Sequence, residues 1–400
     1  VDDARHSVAV ARTAAERGAV LLTSARVVGV HQVGPDRRVH GVEVTDLETG
    51  ASIDIEARTV INATGVWTDG IQDMVGRADL NVRASKGIHV VVPRHRIQSH
   101  TGLILRTEKS VLFVIPWGVY WIIGTTDTDW NLDLAHPAAS ERDIDYLLTR
   151  LNELLADPLG PEDIVGVYAG LRPLLHGESD TTSKLSREHA VSEPVPSFFT
   201  IAGGKYTTYR VMAADAVDSA CERLGVSGDS ITAEIPLVGA PGWEWARSRR
   251  AELARTHGMS IAAVDHLLGR YGGEVDAIFD LIEEDPGLAT PLAGDPRYLE
   301  AEIRRAVTHE GALHLSDVLT RRTRISIEAE DRGVAAADAV ARVMGETLGW
   351  SDEDIDRELW HYHARVDAER DAQRQPDDHT ADAARLGAPD VRTGQGGDLG

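Results

Sequence analysis

The sequence predicts an α/β protein with a mainly antiparallel sheet set into an α/β layer and an all-helical domain beyond it. Three observations carry that expectation. Closely spaced β-branched and apolar runs, IHVVVP (88–93), GLIL (102–105), VLFVIPW (111–117) and VYWIIGTTD (119–127), crowd residues 82–171, and such spacing suits antiparallel hairpins. On either side a strand passes through a small-residue turn into a helix, in INATGVWTD (61–69) and FFTIAGGKYTTYR (198–210). From Trp243 to about Arg370 the apolar period is helical, with short glycine or proline breaks.

Taken in order, Val8 to Gly18 reads as a helix closed by glycine. Short alternating runs follow at Val20–Leu22, Arg26–His31, Val39–Asp46, Ser52–Ile55 and Thr59–Ile61, separated by Gly34-Pro35-Asp36 and Glu48-Thr49-Gly50. Thr64-Gly65 turns the chain into a helix over Val66–Val75, and a helix near Ser140–Leu155 interrupts the sheet region. Phe198–Ala202 is a strand, Gly203-Gly204-Lys205 a turn, and Tyr206–Leu224 an amphipathic helix. Composition changes at Pro236–Pro241, where the helical domain begins. After Asp371 the chain has no aromatic residue and little apolar content, so the expectation there is disorder. These features divide the chain into 1–80, 81–170, 171–228, 236–370 and a tail at 371–400.

With 64 acidic against 41 basic side chains the formal charge is −23, which repels a nucleic-acid backbone and argues against broad adsorption to an anionic membrane. An anionic ligand then needs a local basic site. Cys221 is the single cysteine, which excludes an internal disulfide and a cysteine-rich zinc module and fits a reducing cytoplasm. The most apolar stretch, Val111–Gly124, is too short to span a bilayer and contains Pro116 and Gly118. The N-terminal residues have no uninterrupted apolar core of the signal-peptide kind, and Val1 in place of Met implies a fragment or an alternative start. Only four lysines occur, Lys86, Lys109, Lys184 and Lys205; a GC-rich genome accounts for that bias, yet a retained lysine supplies chemistry that guanidinium does not.

The single G-x-G, at 394–396, has Leu399 where the dinucleotide fingerprint needs its third glycine. Phosphate-loop, HExxH and GxSxG patterns are also absent. Of the 16 histidines, His361 and His363 stand two apart on a helical pattern and point to different faces, so no metal site is expected.

The ordered series VDDAR (1–5), VINATGVW (60–67), KGIHVVVP (86–93), VLFVIPW (111–117), IIGTTDTDW (122–130), AGLRPLL (169–175), LSREH (185–189) and IAGGKYTTYR (201–210) resembles the FAD-dependent, aerobic-type glycerol-3-phosphate dehydrogenases. The resemblance covers roughly residues 1–225, and the helical part resembles that family's C-terminal domain with less diagnostic sequence. It implies a glutathione-reductase-like (DAO-type) FAD-binding fold: 1–80 and 171–228 form the flavin domain, 81–170 an antiparallel substrate cap, and 236–370 the helical domain. The family's N-terminal GxGxxG segment is not among these residues. The 400-residue chain alone is therefore expected to bind little FAD and to purify colourless.

The resemblance places Asn62, Ala63, Thr64 and Gly65 against the cofactor. A glycine pair before a helix N-terminus favours an electron-rich partner such as a flavin carbonyl, which adds Gly203, Gly204 and Thr207. Arg172 and Arg187 match family positions that hold substrate phosphate, and arginine's paired donors suit phosphate oxygens. Oxidation of a secondary alcohol needs a base, for which His89 and Lys205 are both candidates, with Lys205 alternatively a cation beside the flavin. Thr125 and Thr126 are candidates for the polyol hydroxyls, Asp127 for a structural role, Lys86 equally for the surface, and Trp117, Trp121 and Cys221 for packing. The implied reaction converts sn-glycerol 3-phosphate to dihydroxyacetone phosphate and passes electrons to a quinone, with peripheral contact at the cytoplasmic membrane; the reading also admits a homodimer. Its alternatives are an oxidase of the same fold that uses dioxygen and a non-catalytic truncated remnant.

Overall fold

The computed structural model describes residues 2–107, 111–175 and 188–393. Arg187 lies outside them, as do Lys109 and Lys184. The chain forms two compact units.

The larger unit comprises Ser24–Glu234 with Ala368–Gly387. It begins with an antiparallel meander, β1 (Ala25–Val33), β2 (Arg38–Asp46) and β3 (Ser52–Glu56), followed by the short strand β4 (Val60–Asn62). A six-stranded antiparallel sheet comes next, built from β5 (Val82–Pro93), β6 (Leu103–Arg106), β7 (Val111–Trp117), β8 (Tyr120–Gly124), β9 (Thr128–Trp130) and β10 (Gly166–Leu175). Its order is β10-β5-β8-β7-β6, with β9 paired to β5. A third sheet has the order β11-β12-β4, where β11 (His189–Val195) and β12 (Phe198–Gly203) are antiparallel and β12 runs parallel to β4.

The alternation of β5 sorts its two faces. Ile88, Val90 and Val92 pack with Leu112, Val114, Trp121 and Ile123 against the helix Glu141–Asn152. That helix presents Ile144, Leu147, Leu148 and Leu151, the spacing of one helical face. The opposite face of the sheet carries Ser85, Gly87 and His89.

Trp121 is fully buried at 0% exposure, donates its indole N–H to the Arg94 carbonyl at 3.0 Å, and lies under the Arg94 guanidinium at 4.0 Å. Trp121→Ala is expected to destabilise the chain by about 3–5 kcal/mol, the usual loss for an aromatic removed from a packed core. Urea unfolding of the purified chain measures it.

The helix Thr68–Val75 ends at Gly76 in the left-handed conformation and is tied to the start of β5 through Asp69, whose carboxylate accepts the Val82 N–H at 3.1 Å. Burial pushes the Asp69 carboxyl above its ordinary value. The helix expected from Val66 starts instead as a tight turn over Gly65–Trp67. The helix after β12 likewise begins as a turn at Tyr206–Thr208 before the regular helix Tyr209–Leu224, on which Cys221 is half-buried.

The smaller unit gathers Val1–Thr23, Ile235–Asp367 and Ala388–Val391. Helices Ile261–Tyr271, Glu300–Glu310 and Val334–Leu348 contribute Leu267, Ile303 and Val340 to its core. The first helix, Asp3–Glu16, groups here and not with the strands that follow it. Ion pairs explain why: Arg5 meets Glu310 at 2.5 Å, Arg12 meets Glu274 at 2.6 Å, and Arg324 reaches Asp2 and Asp3.

Two expectations differ from what is observed. Val20–Leu22 forms no strand and stands exposed, because no described strand offers it a ladder. The segment after Asp371 is ordered as far as the described residues go: the preceding helix runs to Ala372, and Asp378–Arg385 forms another, with Ala372 and Ala381 buried against Ala138. Small alanines pack there without the aromatic or branched residues whose absence suggested disorder. Among the described residues no helix is long and apolar enough to cross a membrane, and no group of three or more His, Cys, Asp or Glu side chains is placed to hold a metal.

Candidate active site

Register on the central strands assembles the site. Across β5 and β10, Ser85 faces Arg172, Gly87 faces Gly170, and His89 faces Tyr168; across β5 and β8, His89 faces Gly124. Directly opposed residues share a face, so these side chains line one surface.

Arg172 anchors it. Its Nη2 donates to Thr125 Oγ1 at 2.9 Å, and Nη1 donates to the Thr126 carbonyl at 3.3 Å. A Cβ on Gly87 would stand 2.3 Å from Nη2 and 2.4 Å from Thr125 Oγ1. Glycine at this position is what lets the guanidinium lie close over the strand. Thr126, only 4% exposed, accepts the Ile88 N–H at 3.1 Å and so locks the loop after β8 onto β5. Gly87→Ala should push the guanidinium off its rotamer, at a cost of about 0.5–1.5 kcal/mol, and raise KM for an anionic substrate about two- to tenfold without loss of fold. Steady-state kinetics and circular dichroism together check this.

His89 stacks on Tyr168 with ring centroids 4.9 Å apart and planes 14° from parallel. Gly124 makes the room, since a Cβ there would lie 2.3 Å from His89 Cδ2. Tyr168 was not identified from sequence. The available signal is its period of two from Gly170 and Arg172, which becomes informative once the register with β5 is known.

The same strand, β10, leads to both small-residue turns. Gly65, at φ +63°, comes 3.9 Å from Pro173 Cγ measured from its missing Cβ. Asn62, 2% exposed, shapes that turn: Oδ1 accepts from the Thr64 hydroxyl at 2.6 Å, and Nδ2 donates to the Thr68 carbonyl at 3.2 Å. Ala63 is exposed and Thr64 half-buried. Further along, a Cβ on Gly203 would lie 2.9 Å from Leu175 Cδ1 and 2.5 Å from the Glu188 carbonyl oxygen. Gly203 and Gly204 have φ of +79° and +76°, and the Gly204 N–H donates to that carbonyl at 3.1 Å. His189, paired with Asp215 at 2.6 Å, braces β11 against the following helix beside this turn.

Arg172 and Leu175 are three residues apart, about 10 Å along an extended strand. The clamp, the Asn62–Gly65 turn and the glycine pair are therefore neighbours. Lys205 and Thr207 are exposed at the glycine turn, and the Lys205 carbonyl accepts the Thr208 hydroxyl at 3.0 Å. Asp127 accepts the Ser85 hydroxyl. Lys86 is not at the surface: it is fully buried on the other face of β5.

Residues 1–208 match the FAD dependent oxidoreductase family, and residues 230–355 match the C-terminal domain of alpha-glycerophosphate oxidase. The glycerol-3-phosphate dehydrogenase of Mycobacterium leprae is 55% identical over 395 residues, covering 98% of this chain and 67% of the relative. The chain belongs to the FAD-dependent glycerol-3-phosphate dehydrogenases. Glycerol-3-phosphate dehydrogenase 2 of Mycobacterium tuberculosis is 54% identical over 394 residues, covering 98% of this chain and 67% of its own length. The glycerol-3-phosphate dehydrogenase of Bacillus halodurans, solved in complex with FAD, superposes with a TM-score of 0.80 at 28% identity, covering 92% of this chain and 73% of that one. The fold and family expected from the sequence hold, including the flavoprotein class and the helical C-terminal domain of the dehydrogenases.

Proposed function

We propose that the chain takes part in oxidation of sn-glycerol 3-phosphate at C2 to dihydroxyacetone phosphate, with the two electrons leaving to a quinone. The observation that carries this reading is the Arg172 guanidinium, held by Thr125 and the Thr126 carbonyl on the surface that also presents His89. A phosphate would meet paired donors there, and the imidazole on the same face is a candidate to take the alcohol proton.

The residues present fit FAD. Gly65, Gly203 and Gly204 hold positive φ and leave both turns bare at those positions, while Thr200, fully buried and directly paired with Asn62 across the strands, has an Oγ1 with no hydrogen-bond partner among the described residues. Asn62, Ala63, Thr64, Gly65, Gly203, Gly204 and Thr207 would hold the group, aided by the positive end of the 16-residue helix that follows. The chemistry a bound flavin supplies is acceptance of the C2 hydride.

Arg172 binds the phosphate, Arg187 is assigned as a second arginine for it, and Thr125 and Thr126 orient the glycerol hydroxyls. His89 or Lys205 takes the C2 hydroxyl proton, so the secondary alcohol becomes a ketone with charge balanced. Quinone use implies peripheral contact with the cytoplasmic membrane through a small local patch, since net charge opposes broad adsorption. The enzyme supplied with the family's N-terminal GxGxxG segment and loaded with flavin, assayed without oxygen, should form dihydroxyacetone phosphate in step with quinone reduction; substrate turnover without that ketone would refute the reading. The match of residues 230–355 to an oxidase domain supports dioxygen as a second acceptor. Hydrogen peroxide formed in air without quinone separates the two.

A further inference from the structure

Lys86 shares its strand with the floor of the clamp but points away from it. Ser85 and Gly87 lie on the Arg172 side, and Lys86 enters the opposite face. Its ammonium, 0% exposed, is held by Asp143 Oδ2 at 2.6 Å, Asp378 Oδ1 at 2.5 Å and the Ala138 carbonyl at 3.1 Å, with the Trp130 ring 4.9 Å away. The Ser140 hydroxyl is 3.0 Å from each carboxylate, so its single proton serves either Asp143 or Asp378.

Asp378 begins a helix in the segment 368–387, which the rest of that unit holds at further points. The Gln375 carbonyl accepts the Glu141 N–H at 2.9 Å, and Ala372 and Ala381 pack on Ala138. A buried ammonium is stable only while its carboxylates stay in place. The segment therefore fixes Lys86, and Lys86 fixes the backbone between Ser85 and Gly87.

That backbone has no slack on its other side. The guanidinium rests on Gly87 with no room for a Cβ, and Ser85 is bonded to Asp127, next in sequence to the Thr126 carbonyl that Arg172 uses. Floor and wall of the clamp both move if β5 shifts at Lys86.

We propose that segment 368–387 is a strap that sets affinity for the phosphorylated substrate, acting through Lys86 as a positioning residue beneath Arg172. This rests on reading Arg172 as the phosphate clamp. Neither Lys86 nor Asp378 touches substrate; their effect is on the geometry of a group that does.

Lys86→Met risks the fold, so the test uses Asp378→Ala, at the partly exposed edge of the network, in the flavin-loaded enzyme. KM for glycerol 3-phosphate should rise about tenfold, the equivalent of one charge-assisted contact, while kcat and flavin content stay near wild type. Calorimetric binding of inorganic phosphate should weaken by the same factor, and amide exchange over residues 84–90 should quicken. Asp378→Glu should restore part of the affinity, and turnover of unphosphorylated glycerol should be unchanged. Wild-type KM and phosphate affinity in Asp378→Ala would overturn the proposal, as would equal losses for glycerol and glycerol 3-phosphate. If Arg172→Lys leaves phosphate affinity untouched, the clamp reading falls and takes the strap with it; if only Asp378→Ala is silent, the clamp stands and the strap alone is refuted.

Discussion

Lys205→Met is expected to lower kcat by about 10²–10⁴ with little change in substrate affinity. Lys205 follows two glycines whose positive φ turns the chain out of β12, and it stands exposed where the backbone enters the Tyr206–Thr208 turn. Methionine keeps the length and flexibility of the side chain and removes the charge. If the cation stabilises charge that develops during hydride loss, its removal acts on the transition state and leaves ground-state binding to Arg172 intact. The signature is a fall in kcat and kcat/KM together.

His89→Gln is the companion variant, and the two separate roles that sequence leaves open. Glutamine cannot titrate but retains hydrogen-bonding atoms, so loss of the acid limb of the pH–rate profile in this variant assigns the base to His89. Lys205→Met should then keep that limb and lower the midpoint potential of the bound flavin. A Lys205→Met enzyme whose flavin is reduced at the wild-type rate in a single turnover would remove Lys205 from the mechanism.

The parts of the site that were legible in sequence are those whose chemistry forces a residue type at a fixed local spacing. Asn62 to Gly65 and Gly203-Gly204 are readable because a tight turn at positive φ requires side chains that are absent or fold back on their own backbone, as Asn62 does toward Thr64 and Thr68. Arg172 is readable because an arginine among apolar residues and a proline needs a reason to be there. Tyr168 has no such local mark. Its stacking on His89 depends on the pairing of β10 with β5, which is fixed by long-range register.

Lys86 shows the same limit from the other direction. On a strand of VVVP type a lysine reads as surface, since the cost of burying an ammonium is visible locally and its compensation is not. The compensating carboxylates are Asp143 and Asp378, 57 and 292 residues away in sequence. The residues after Asp371 failed for a related reason: composition measures how much apolar area a segment carries, whereas Ala372 and Ala381 need very little to close a contact with Ala138. The grouping of the first helix with the C-terminal helices is likewise set by ion pairs such as Arg5–Glu310, 305 residues apart.

Arg172→Lys tests the clamp itself. The guanidinium makes its bonds to Thr125 and Thr126 with the Nη atoms, and Gly87 lets it approach β5 closely. Lysine keeps the positive charge but offers a single ammonium centre on a flexible stem, so it cannot hold the loop and present a planar fork to phosphate together. A lost charge-assisted contact is worth about 1.5–3 kcal/mol, so kcat/KM for glycerol 3-phosphate should fall about tenfold to a hundredfold. Flavin content should be unchanged, because Pro173 and Leu175, which stand beside the turns at Gly65 and Gly203, are kept. Unphosphorylated glycerol discriminates between the roles open to Arg172: with no phosphate to lose, its turnover should change far less. An equal fall for both substrates would make Arg172 a structural residue of the loop after β8, and a fall in flavin content would place its effect on the turns at Gly65 and Gly203.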